Sequence, residues 1–159
     1  MVHALEEIDR LLRPAGTLIE IHPALEVPSV EVRSDGAVSF VEPDPGFDYE
    51  DDLRHAEHAV ATIVGRGVFA LDGDRRFEMR THASSVRELR DHFAVVGAYD
   101  PEEKEEALAR RQDEMYERAQ AVMERSAGAE LVYVEPALMS RLLPSRQEGG
   151  AVARRPAPG

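Results

Sequence analysis

The chain has 159 residues, 43% of them hydrophobic, which suits one domain with a core of its own. Tryptophan is absent and aromatics make up 6%, so Leu, Val, Ile and Ala must carry that core. The formal charge of −12 argues against nucleic acid and anionic membrane as partners, and the lack of cysteine excludes disulfides, thiolate zinc sites and a thiol nucleophile.

Residues 2–13 read as a helix, with Leu5, Ile8 and Leu12 at i, i+3 and i+7 and Pro14 and Gly16 as its stop. The opening stretch carries Glu6, Glu7 and Asp9 and has no basic-then-apolar leader pattern; no apolar run reaches the roughly 20 residues of a membrane span. A cytoplasmic location is expected. Residues 17–22 (TLIEIH) read as a strand, apolar on both sides apart from Glu20, as a strand covered on both faces would be.

Segments 29–33 and 37–42 alternate on either side of Ser34-Asp35-Gly36 and read as a hairpin. A loop with Pro43, Pro45 and Gly46 follows. Asp48 is placed to cap a helix over 49–65 with Leu53, Ala56, Val60 and Ile63 as its stripe. Two strands are expected next, 67–71 and 76–82, separated by Asp72-Gly73-Asp74. In the second, Phe77, Met79 and Thr81 face one way and Glu78, Arg80 and His82 the other.

Ser85 and Glu88 form an S-x-x-E capping box ahead of a helix striped by Val86, Leu89, Phe93 and Val96. Asp100-Pro101-Glu102-Glu103 signals another helix, running to about Arg125 with Gly128 beyond it. Residues 129–142 read as a last strand, open to a break at Pro136. The final stretch, 144–159, is rich in Pro, Gly and Arg and reads as a disordered tail after a domain over 1–143.

The first of these segments, 4–21, carries a resemblance. Glu7, Arg10, Leu12, Pro14 and Gly16, with Ala15 where glycine is usual, resemble the E-x-x-R-x-L-x-P-G-G pattern that leads into the fifth strand of class I S-adenosylmethionine-dependent methyltransferases. In that family the fifth strand lies between the fourth and the seventh. A helix follows it, and the sixth and seventh strands form an antiparallel pair that closes the sheet. The resemblance places that helix at 49–65, the sixth strand near 76–82 and the seventh near 129–142. It implies an α/β fold: part of a Rossmann-like sheet, the fifth to seventh strands, with flanking helices.

The family's donor site lies in the half that precedes this segment, and the chain has no G-x-G-x-G turn between a strand and a helix. S-adenosylmethionine is therefore implied as cofactor only if another chain supplies that half. In that case the present chain walls the pocket of a small-molecule acceptor, and the methyl group moves by in-line displacement. A strand that opens on Thr17 and closes on His22 would then have a free edge. Two copies pairing there, a separate donor chain, or a start inside a longer reading frame all fit. The rival is a non-catalytic dimerisation or small-ligand-binding module built on the same fold.

Four residues are candidates for substrate contact, with no catalytic residue assigned. His22 ends the strand beyond which open α/β sheets bind ligands, but a histidine before Pro23 also serves simply as a strand end. Tyr49, Arg80 and His82 follow from the resemblance, since the region after the fifth strand shapes the acceptor pocket; strand-face Arg and His also face solvent routinely. The hairpin over 29–42 reads as a lid on that pocket or as a surface insertion. Asp51, His55 and His58 share one helix face at metal-ligand spacing, but it is the polar face, and a solvated role outweighs a metal there.

Overall fold

A computed structural model describes residues 1–13, 15–97 and 106–145. It is a mixed α/β structure with four helices and a five-stranded antiparallel sheet. The elements are α1 (Val2–Leu11), β1 (Leu18–Pro23), β2 (Ser29–Ser34), β3 (Ala37–Pro43), α2 (Glu50–Gly65), β4 (Phe69–Ala83), α3 (Val86–Gly97), α4 (Glu106–Met123) and β5 (Glu130–Pro144). The strand order is β1-β5-β2-β3, and β4 also pairs with β5. The described residues divide into two compact units: 1–13, 15–21, 54–75 and 139–145, and 22–53, 76–97 and 106–138.

In the first unit, Leu5 of α1, Ala59 and Ile63 of α2, Phe69 of β4 and Leu142 of β5 form the core. Every member is apolar, and Ile63 and Leu142 are fully buried. Each such side chain contributes about 1.5–3 kcal/mol by leaving water. The α1 stripe is as its spacing predicts, with Leu5 buried and Ile8 and Leu12 packed beside it. Glu6 of α1 accepts a hydrogen bond from Arg66, just past α2, at 2.9 Å. Pro14, half of the expected stop, lies outside the described residues. Gly16 is required on its own account, because a Cβ there would stand 2.7 Å from the Leu12 side chain.

β1 corrects one expectation. Its burial alternates: Ile19 and Ile21 are 48% and 52% exposed, while Leu18 packs on the core and His22 is buried. The strand is covered on one face, so its continuous apolar character does not report two-sided burial.

In the second unit, β2 and β3 pair in register from Ser29↔Pro43 to Ser34↔Ala37 around the two-residue turn Asp35-Gly36, both residues in the left-handed region (φ 52 and 78). β2 also pairs with β5, from Ser29↔Val134 to Arg33↔Glu130. The hairpin is therefore part of the sheet and neither a lid nor a surface insertion. Val30 and Val32 are fully buried with Leu89 of α3, Met115 and Ala119 of α4, and Leu131 of β5. Arg118 of α4 clasps Glu42 of β3 through two hydrogen bonds, 2.8 and 2.5 Å, which hold the Glu42 carboxyl below its ordinary range.

The capping box of α3 forms with a change of partner. The Glu88 N–H donates to Ser85 Oγ (3.1 Å), while the Glu88 carboxylate accepts from the N–H and hydroxyl of Ser84 (2.7 and 2.6 Å). Those two bonds lower the Glu88 pKa.

β4 is one 15-residue strand where two were expected; Asp72-Gly73-Asp74 does not turn the chain. β4 pairs with β5. Its predicted alternation holds, with Phe77, Met79 and Thr81 half-buried and Glu78, Arg80 and His82 exposed. β5 likewise runs through Pro136, whose carbonyl accepts from the Ala24 N–H at 2.8 Å. β5 ends at Pro144, and the Ser145 N–H donates to Val68 O, so those two residues are ordered where a tail was expected. Residues 146–159, and the expected helix start at 100–103, lie outside the described residues. No helix among the described residues is long and apolar enough to cross a membrane.

Candidate functional site

The second unit contains a cavity of about 470 Å³ between the loop after β3, the two helices α3 and α4, and β5. The loop is shaped by Asp44, which is 7% exposed. Its Oδ1 accepts from the Gly46 N–H at 2.8 Å, an Asx turn across Pro45, and from Gln112 Nε2 of α4 at 3.0 Å. Its Oδ2 accepts from the Tyr133 hydroxyl at 3.3 Å. A Cβ at position 46 would lie 2.7 Å from Gln112 Nε2, so a larger residue there displaces the Gln112 amide from Asp44. A buried carboxylate is tolerated because three donors replace its water.

Aromatic rings form the walls. Tyr49, whose carbonyl receives the first bond of α2 from Leu53, donates its hydroxyl to Glu135 Oε1 at 2.9 Å. Phe47 meets Tyr49 edge-on at 4.7 Å, and Phe93 of α3 meets Tyr133 in the same manner at 4.7 Å. On α4, Tyr116 carries the Arg90 guanidinium 4.9 Å from its ring centre. Arg90 is also paired with Asp113 at 2.7 Å. Val96, expected in the α3 stripe, is 53% exposed and lines the cavity.

All three phenols resist ionisation. Burial pushes Tyr116 up to about 12, with Asp44 adding to the rise and Arg90 opposing it. Tyr133 is raised further, by burial and then by the nearby Tyr49 and Asp44. Tyr49 is raised by burial and by the Glu135 charge and hydrogen bond. At neutral pH these groups are neutral donors, and the site they build is suited to holding a ligand.

The structure distributes the four residues expected from sequence. Tyr49 lines this cavity. Arg80 lines a separate, open groove of about 650 Å³ in the same unit, beside Phe77 and Pro136, and is paired with Glu78 at 2.6 Å. In that groove Arg76 is bonded to Glu26. His82 is exposed, with Nδ1 2.9 Å from Glu130 Oε2, and lines neither cavity. His22 is buried at the end of β1 and also lines neither. Asp51, His55 and His58 are all exposed on α2.

Sequence reasoning missed Asp44, Arg90, Tyr116, Tyr133 and Glu135. Two signals pointed to them: Asp44-Pro45-Gly46, a turn whose first side chain binds its own backbone, and Tyr133 and Glu135 at i, i+2 on one strand face. No family, curated protein or solved structure matches the chain.

Proposed function

We propose that the chain is the acceptor-side part of a class I S-adenosylmethionine-dependent methyltransferase, completed by a donor-binding chain, and that the Tyr49–Tyr133 cavity receives the acceptor. In this reading β1, β4 and β5 are the fifth, sixth and seventh strands of a Rossmann-like sheet. The observation that carries it is the strand order. β5 has β1 and β4 as neighbours, with β2 as a third, α2 falls between β1 and β4 in the chain, and β1 ends the strand order. The resemblance at Glu7, Arg10, Leu12 and Gly16 calls for that same arrangement, with the missing fourth strand beyond β1.

The chain's own residues do not fit the donor. Among the described residues the two strand-to-helix turns are 44–49 and 84–85. They hold one glycine, Gly46, whose open side is filled by Gln112. The chain's contribution is thus to close the sheet and to orient an acceptor, a role in which positioning supplies the rate. β1 ends the strand order among the described residues, where a further strand can add.

The second reading, a ligand-binding or dimerisation module without catalysis, is favoured by the cavity, whose walls all come from this one chain. Calorimetry separates the two. S-adenosylmethionine titrated into the isolated chain gives no heat in either case. Heat on adding a protein encoded beside it supports the methyltransferase, and its absence in that mixture supports the module.

A further inference from the structure

We infer that the Tyr49–Tyr133 cavity selects a small organic cation: an ammonium group on an apolar or aromatic body. This concerns the cavity alone and stands whether or not a donor chain exists. Three carboxylates line it, Asp44, Asp48 and Glu135, against one cationic side chain, Arg90. Arg90 does not offset them toward a ligand, because its guanidinium is paired with Asp113 at 2.7 Å and lies over the Tyr116 ring. That contact is itself an instance of the recognition, an organic cation held on an aromatic face beside the buried Asp44 charge.

The remaining walls suit the body of such a ligand. Tyr49, Phe93 and Tyr133 present rings whose faces are negative by their quadrupole. Their edge-on pairing fixes the ring orientations. An anionic ligand would meet the unneutralised Glu135 and Asp48. A neutral one would leave their desolvation uncompensated. Asp44 is committed to Gly46, Gln112 and Tyr133 and acts through its charge. Glu135 has one bond, from Tyr49, among those described, and Asp48 is exposed, so these two carboxylates face an incoming ammonium. The formal charge of −12 draws cations toward the chain at longer range.

The test is a titration of the full chain with three probes of one shape: benzylamine, protonated at neutral pH, benzyl alcohol and benzoate. Calorimetry reads affinity, and the ring protons of Tyr49 and Tyr133 in NMR spectra report the place. Benzylammonium is expected to bind about tenfold tighter than benzyl alcohol, with benzoate weaker still. Glu135→Gln keeps an acceptor for the Tyr49 hydroxyl and is expected to weaken benzylammonium about tenfold while leaving benzyl alcohol unchanged. Asp48→Asn, at an exposed position, gives the same selective loss to a smaller degree and covers the case that Glu135→Gln folds poorly. Equal or tighter binding of benzyl alcohol or benzoate overturns the inference while leaving the cavity a ligand site. No shift of the tyrosine signals with any probe overturns it as well. Neither result bears on the S-adenosylmethionine titration.

Discussion

The two units solve the problem of a small core in opposite ways. The cluster of the first is wholly apolar, Leu5, Ala59, Ile63, Phe69 and Leu142, and its unusual feature is on the outside, where Ile19 and Ile21 stand exposed on the outermost strand. The second buries Tyr116 and Tyr133 among its aliphatic side chains and keeps the Asp44 carboxylate beside them. Apolar packing tolerates small errors in shape, whereas a buried carboxylate specifies its donors and leaves space that only a complementary ligand fills. In the proposed reading the first unit serves assembly and the second recognition.

The largest effect that would sharpen this contrast comes from the apolar core. Ile63→Ala is expected to cost about 3–4 kcal/mol, read as a fall in the urea midpoint, because a fully buried side chain leaves a void as well as losing its transfer energy. Next is Asp44→Ala, at about 2–3 kcal/mol, since the Gly46 N–H, Gln112 and Tyr133 all lose their acceptor. Its signature differs: amide exchange should accelerate in β2 and α4 more than in α1. Equal acceleration in both would mean that the units unfold together, and the contrast would fail.

Alkaline pH acts on the second unit through its phenols. The folded state keeps Tyr116 protonated to about pH 12, while an unfolded tyrosine ionises near 10, so stability is full below about 10 and declines as pH rises toward 12. The loss is on the order of 1 kcal/mol per pH unit for one such group. Urea midpoints measured on either side of pH 10 check the sign, and Tyr116→Phe should flatten the slope. Ser85→Ala, which removes the α3 cap, is expected to cost about 1 kcal/mol in the same assay.

Much of the framework was legible because local chemistry and tertiary structure agree there. The Ser85 cap, the Asp35-Gly36 turn and the Leu5 and Leu89 stripes all say the same thing at both levels. The expected turn at Asp72-Gly73-Asp74 failed because those residues lie within one continuous strand, β4, despite a turn composition. The double-sided cover of β1 failed because Ile19 and Ile21 are kept apolar without being buried in this chain. Of the four residues expected from sequence, Tyr49 is the one that lines the cavity. Asp44 and Tyr133 carried only local marks, a turn and a strand face, and Tyr116 none; they meet only when the loop after β3, α4 and β5 are packed.

β1 ends the strand order, and its position there together with the two isoleucines on its open face carries the central proposal, that another chain completes the sheet at this strand. Where no donor chain is present, two copies are expected to pair there. Ile19→Lys with Ile21→Lys should lower the urea midpoint only by the stabilisation that pairing supplies, since both positions are about half exposed in the single chain. Light scattering on the purified chain at micromolar concentration is the direct test. The account predicts a species heavier than 17.7 kDa for the natural sequence and one of 17.7 kDa for the double variant; a single 17.7 kDa species for the natural sequence would contradict it.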